Sequence, residues 1–182
     1  MLTRYCFLDF ETSGINHETD YPLQVGAVLG EFQHGQFQVY HQLESLIQIP
    51  TTCEIHPGAF KIHGISKGDL KGVPTPFEFL EEFEDTFQTD YSFAGWNVWF
   101  DVGFFKKLCA ENQKEDFFRK IGYRHLDVQS VYQFLRMTYF DSGPSLNEAC
   151  EHLGLSRSKH HNALEDVLLE IEVANQILHH LK

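Results

Sequence analysis

No apolar run in the sequence approaches the ~20 residues that a helix needs to cross a bilayer, so no membrane partner is expected. Cysteine is sparse and never closely paired: Cys6, Cys53, Cys109 and Cys150 are scattered, with no CxxC spacing. That argues against a zinc or dithiol redox site and fits a reducing, cytoplasmic setting. Met1-Leu2-Thr3-Arg4 leads directly into an apolar stretch and leaves no room for a signal peptide. Positive charge is also scarce: 14 Lys and Arg stand against 26 Asp and Glu, for a net charge of −12. Proteins that bind polyanions usually present basic surface. A broad electrostatic footprint for nucleic acid is therefore excluded, whereas a small acidic site for divalent cations is not. Internal repeats, low-complexity segments and linkers are missing too, and 182 residues carry one sizeable core rather than two.

What is present is 42% hydrophobic, with 17 Phe, arranged in runs that alternate in type. Residues 4–10 read as a buried strand, and 23–33 and 36–47 as two more strands joined in a hairpin at His34-Gly35. Residues 48–56, containing Pro50, read as a loop, and Pro57 to His63 as a short helix ending at Gly64. A helix over Pro76–Phe87 carries Phe77, Leu80, Phe83 and Phe87 at near-helical spacing. A fourth strand, Tyr91–Trp96, leads into a helix over Asn97–Glu111 with Val98, Val102, Phe105 and Cys109 facing inward. An extended piece at Tyr123–Leu126 precedes a helix over Val128–Met137. Ser142-Gly143-Pro144-Ser145 opens another helix, with Gly154 as its C-cap. The final helix starts at Asn162 and turns Ala163, Val167, Ile171, Ala174, Leu178 and Leu181 inward. Three antiparallel strands followed by alternating strands and helices predict one α/β domain over 1–182, a mixed sheet with helices on its faces.

Chemical weight falls first on Phe7-Leu8-Asp9-Phe10-Glu11-Thr12-Ser13-Gly14. Side chains alternate along a strand, so Asp9 and Glu11 emerge on one face, ~6–7 Å apart at Cα. Held together where a strand stops, the two carboxylates repel each other unless a cation lies between them. Standing alone, such a pair reads as an acidic turn at a strand end. Asp101 lies in the first turn of a helix that follows a strand, and Asp166 where the last helix begins. Either alone reads as a complement to the helix dipole.

Together these segments resemble the DnaQ-like 3′–5′ exonucleases, in the branch with four acidic residues and a histidine. Asp9-Phe10-Glu11-Thr12 matches that family's Asp-x-Glu-Thr motif, and Asn97-Val98-Trp99-Phe100-Asp101 its Asn-x-x-Phe-Asp motif. His161-Asn162-Ala163-Leu164-Glu165-Asp166 matches the third, His-x-Ala-x-x-Asp. His63-Gly64-Ile65, Ser145-Leu146 and Leu153-Gly154-Leu155 also stand where the family has them, so the resemblance spans nearly the whole chain. It implies a ribonuclease H-like fold: a five-stranded mixed sheet in the order 3-2-1-4-5, strand 2 antiparallel, with helices on both faces. Within the family the look is that of the proofreading-subunit branch. The extension with which that subunit holds its polymerase is not seen after the last helix, so a stand-alone nuclease competes with a polymerase subunit.

The implied chemistry explains the residue types. Hydrolysing a phosphodiester calls for an activated water and relief of charge on the leaving 3′ oxygen, and two divalent ions ~3.5–4 Å apart supply both. Hard carboxylate donors suit Mg²⁺ or Mn²⁺. By the resemblance Asp9, Glu11, Asp101 and Asp166 hold the metals, with Glu11 also taking part in catalysis. His161 acts as general base, a task that an unperturbed pKa of ~6.5 suits; His160, six residues before Asp166, takes no role. Substrate contacts are implied for Thr12, Gly14, His63, Asn97 and Phe100. Trp96, Trp99 and Phe100 lie beside the second motif, where a terminal base could stack. Lys61, Lys67, Lys71, Arg157 and Lys159 are either phosphate contacts or solvated loop charges. The expected partner is the 3′ end of a single strand, DNA favoured, with a DNA polymerase or another replication or repair protein in attendance. The competitors are an RNA-trimming enzyme, a catalytically silent nuclease fold used for binding, and a phosphohydrolase of small nucleotides.

Overall fold

The computed structural model describes residues 3–136, 145–156 and 161–180. The expected helix end at Met137, the Ser142-Gly143-Pro144 turn, the 157–160 stretch with Arg157, Lys159 and His160, and Leu181 lie outside them.

Three long strands come first: β1 (Arg4–Thr12), β2 (Pro22–Gln33) and β3 (Gln36–Leu46). His34 and Gly35 turn the β2–β3 hairpin with φ of 54° and 84°. Positive φ at both central residues matches the right-handed twist of the strands, which fixes the turn at the expected dipeptide. β4 (Ser92–Gly95) and β5 (Gly122–Asp127) complete one sheet in the order β3-β2-β1-β4-β5. β2 runs antiparallel to both of its neighbours, and β1, β4 and β5 run parallel. This is the ribonuclease H-like arrangement that the sequence implied.

Helices α1 (Pro57–His63), α2 (Pro76–Phe87), α3 (Val98–Glu111) and α4 (Glu115–Lys120) precede α5 (Val128–Arg136), α6 (Leu146–Leu153) and α7 (Ala163–His180). Most boundaries carry their chemistry in the sequence. Thr75 with Glu78 and Ser145 with Glu148 form reciprocal capping boxes, and Gly64 and Gly154 close α1 and α6 in the left-handed conformation. α4 was not expected, because six residues are too few to display a helical period. Its Glu115 and Asp116 at the start, and Arg119 and Lys120 at the end, complement the dipole.

Alternation along β1 splits the core into two. Cys6, Leu8 and Phe10 pack with α2 and α3, while Phe7 packs on the other side with α5, α6 and α7. By the same alternation Asp9 and Glu11 share the α7 face. One expected core residue is corrected: Phe77 is 45% exposed under the Lys114 ammonium, and Phe79 is fully buried in its place. Pro76 starts the helix, so Phe77 sits in the first turn, where the inward face begins two residues later.

Candidate active site

The site forms at the end of β1, where the chain brings side chains in from both faces of the sheet. In the β1–β2 ladder Asp9 stands opposite Gly26. A Cβ at Gly26 would lie 2.3 Å from the Ala163 carbonyl, so only glycine lets the start of α7 rest directly on the sheet. Asn162 caps α7: its Oδ1 accepts the Glu165 N–H at 3.0 Å, and its Nδ2 donates to Glu44 on β3 at 2.7 Å. The helix therefore begins at Ala163, one residue later than expected. Seated in this way, α7 carries Asp166 and the preceding His161 onto Glu11. One donor atom from each of Glu11, His161 and Asp166 lies within 4.8 Å of the others. His161 Nδ1 is 3.5 Å from Asp166 Oδ2. From the opposite face Asp101 reaches in from the first turn of α3, and its Oδ1 accepts the Phe10 N–H at 2.9 Å.

The electrostatics report how close these acids are. Burial holds the Asp9 carboxyl well above the usual carboxylate range, and Asp101, Glu170, Glu11 and Asp166 each push it further. Asp101 is raised for the same first reason, and Glu11 adds to the shift. The Phe10 N–H and Asp101's own backbone offset part of it. Five carboxylates thus gather in one place. Ionising them together in a partly dry site is costly unless positive charge is supplied. This donor set of hard oxygens with one imidazole fits a divalent cation.

Glu170 is the residue that the sequence reading missed. It is 1% exposed, four residues after Asp166 and so on the same face of α7. Gly95, at the end of β4, leaves room for it: a Cβ there would come within 3.5 Å of Glu170 Oε2. The signal was present, since position 170 falls on the inward stripe beside Val167, Ile171 and Ala174. A count of apolar residues alone passes over it.

Beside the acids opens a pocket of about 630 Å³, lined by the end of β1, the loop after it, α1 and Phe100. Glu11, Thr12, Gly14, His63 and Phe100 all contribute to its wall. Thr12 Oγ1 donates to the Gly14 carbonyl at 2.6 Å. A Cβ on Gly14 would lie 2.4 Å from both Asp20 Oδ2 and His56, so this turn is packed from behind. Asp20, unremarked in the sequence, is buried there and holds the loop through the Asn16 N–H at 2.8 Å and His56 Nε2 at 3.2 Å. His63 Nδ1 accepts the Ile65 N–H at 2.9 Å, which leaves the hydrogen of the neutral ring on Nε2. Burial lowers its pKa, His161 lowers it further, and the Thr12 backbone offsets part of the shift.

The remaining candidates lie elsewhere. Asn97 heads α3 with φ of 57°, exposed and outside the pocket wall, its N–H donating to Asp127 Oδ1 at 3.1 Å. Trp96 packs on Tyr132, 5.7 Å between ring centroids. Trp99 points to the far flank of α3. Lys67 pairs with Glu54 at 2.6 Å.

Comparisons with known proteins place the chain among nucleases in sequence and fold. A family model described as Exonuclease (RNase_T) matches residues 6–174. The DNA polymerase III PolC-type protein of Thermotoga maritima is 29% identical over 171 residues, covering 93% of this chain and 11% of the relative. The DNA polymerase III subunit epsilon of Pasteurella multocida is 29% identical over 180 residues, covering 94% of this chain and 65% of the relative. Among solved structures, E. coli exonuclease I in complex with a dT13 oligonucleotide superposes with a TM-score of 0.79 at 18% identity, over 96% of this chain and 41% of that one. The zinc ion bound form of the E. coli exonuclease I–ssDNA complex gives 0.79 at 19% identity, over 96% of this chain and 40% of that one. The chain spans less than two thirds of the length of each of these relatives.

Proposed function

This chain belongs to the exonuclease family, and we propose that it removes nucleotides one at a time from the 3′ end of a single strand, DNA in preference to RNA, releasing nucleoside 5′-monophosphates. The observation that carries this reading is the convergence of Asp9, Glu11, Asp101, Asp166 and His161, from three separate segments, beside an open pocket. The four acids would hold two divalent cations, Mg²⁺ or Mn²⁺. When bound, these ions supply Lewis-acid activation of water and charge relief at the leaving 3′ oxygen.

The chain's own residues do the rest. His161 takes the proton of the attacking water at Nε2, and Asp166, 3.5 Å from Nδ1, stabilises the imidazolium that results. The water oxygen bonds to phosphorus, the P–O3′ bond breaks, and the shortened strand keeps a 3′ hydroxyl that is protonated from solvent. Phe100 offers a ring face to the terminal base, and His63 forms part of the wall beside it. The Thr12–Gly14 turn sets the depth to which that nucleotide enters. The names of the relatives support a DNA polymerase or another replication protein as partner class, and the domain is read as a single unit working in the cytoplasm.

The test uses 3′- and 5′-labelled DNA and RNA oligonucleotides with Mn²⁺, beside EDTA and Asp9→Ala controls. Stepwise loss from the 3′ end, abolished by EDTA and by the substitution, is expected. Absence of any metal-dependent degradation overturns the reading, and faster loss of RNA than of DNA replaces it with the RNA-trimming alternative.

A further inference from the structure

The basic residues of this acidic chain are not spread evenly. Residues 103–126 hold six of its 14 Lys and Arg (Lys106, Lys107, Lys114, Arg119, Lys120, Arg124) but three of its 26 acids. Lys107 is spent on the Tyr21 ring and the Asp20 carbonyl, and Lys114 on Glu81 and Glu84. Of the other four, Lys106 and Arg119 line a groove of about 450 Å³ between α3, the end of α4 and the start of β5; Arg119 also pairs with Asp116 at 2.7 Å in an exposed ion pair, and Arg124 lies over the ring of Tyr123. Trp99, Lys106, Arg119, Tyr123 and His125 line it.

Two features of this groove are costly for a surface with no ligand. Trp99 is 58% exposed and Tyr123 76%. The Trp99 ring is steadied by the edge of His125, with centroids 4.9 Å apart and planes at 69°, so its indole face stays accessible. His125 Nδ1 is buried with no hydrogen-bond partner among the described residues. Such an atom is unfavourable unless a ligand meets it.

The groove also lies close to the proposed chemistry. Trp99 and Phe100 are consecutive on α3, ~100° apart around it. Phe100 lines the active-site pocket and Trp99 lines the groove. Between them His17 covers Gly103 and is joined through Nε2 to the Phe100 carbonyl at 2.8 Å. The separation is therefore the width of one helix, ~10 Å, which an extended strand crosses in a few nucleotides.

We propose that this groove is a second binding site for single-stranded nucleic acid, holding nucleotides upstream of the one being cleaved. Exposed aromatic faces beside cations suit that ligand: Trp99 and Tyr123 stack on bases, and Lys106, Arg119 and Arg124 meet backbone phosphates. It also explains how a chain of net charge −12 holds a polyanion, since the positive charge is concentrated along the strand's track. The proposal rests on the reading of the substrate as a single-stranded nucleic acid.

Trp99→Ala and the double charge variant Lys106→Glu/Arg119→Glu test it, the substitutions being on exposed side chains. Hydrolysis of oligothymidylates of about 4 and about 16 nucleotides is followed with Mn²⁺. Each variant should raise KM for the long substrate about tenfold or more, with kcat unchanged and KM for the short substrate unaffected. The double variant should also flatten the salt dependence of KM for the long substrate by about one unit of log–log slope per lost phosphate contact. Binding of the labelled long oligonucleotide in EDTA, read by anisotropy, should weaken in parallel. An unchanged KM for the long substrate overturns the proposal, as does an equal rise for both lengths, which would place the effect in the catalytic pocket. Failure of the wild type to cleave any oligonucleotide overturns the exonuclease reading instead. The EDTA binding comparison then decides the groove independently, and equal binding by wild type and variants rejects it.

Discussion

Four neighbouring carboxylates make Asp9 harder to ionise, and Glu170 is the clearest case because nothing in the motifs calls for it. It is buried, on the same face of α7 as Asp166, and raises the Asp9 carboxyl after burial and Asp101 have done so. Removing its charge while keeping its shape should therefore relieve repulsion. Glu170→Gln is expected to raise the melting temperature in EDTA by about 2–4 °C, the equivalent of ~1 kcal/mol in a chain of this size. The rise that Mn²⁺ produces should shrink in the same variant, since less negative charge awaits the cation. Calorimetry with and without Mn²⁺ checks both, and a variant less stable than wild type in EDTA would mean that Glu170 chiefly supports the fold through its contacts.

At the scale of elements, the site depends on one close approach. α7 can place His161 and Asp166 over β1 because Gly26 lets its first turn sit against β2, 2.3 Å from where a Cβ would stand. Gly26→Ala must push the helix outward. Overpacking of this kind costs ~1–3 kcal/mol, and misplacement by ~1 Å can cost ~100-fold in rate. Gly26→Ala should therefore lose about 100-fold in kcat, a larger loss than its stability change alone would produce in a still-folded protein. Equal activity in Gly26→Ala and wild type would show that the seating of α7 does not set the catalytic geometry.

Over the whole molecule, the balance of charge makes stability depend on pH and on cations. Asp9 and Asp101 have folded-state pKa values well above the ordinary 3.8, so the folded protein binds their protons more tightly than the unfolded chain does. Stability then falls as pH rises from about 4 through the folded values, and the loss is complete above them. His63, whose pKa lies below 6.5, works the other way and favours the folded state as pH rises through that value. In EDTA the melting temperature of Asp101→Asn should therefore fall less steeply between about pH 5 and pH 8 than that of wild type, a comparison that leaves His63 untouched. Mn²⁺ at about 100 times its Kd should restore ~2.7 kcal/mol, about 5–10 °C. A wild-type melting curve indifferent to both pH and Mn²⁺ would contradict the clustering of these acids.

Much of this could be read along the chain. Strand alternation put Asp9 and Glu11 on one face, the capping boxes and the glycines at 64 and 154 marked helix ends, and motif order named the four acids and His161. Those features are local, because periodicity, caps and turn dihedrals are set by neighbours within a few residues. α4 escaped because six residues are shorter than the signal that identifies a helix. Glu170 and Asp20 escaped because an acid's burial depends on what folds over it, and Phe77 and Phe79 exchanged places for the same reason. Trp99 and Phe100 differ least in sequence and most in fate. Both are aromatic neighbours in one motif, yet the 100° step of the helix sends one into the catalytic pocket and the other into a basic groove. The sequence by itself determined the residue types and the elements that carry them. Only the packing of α3 and α7 on opposite faces of the sheet decided which side chains meet, because contacts between distant segments follow from how helices seat on a sheet and not from the order of residues.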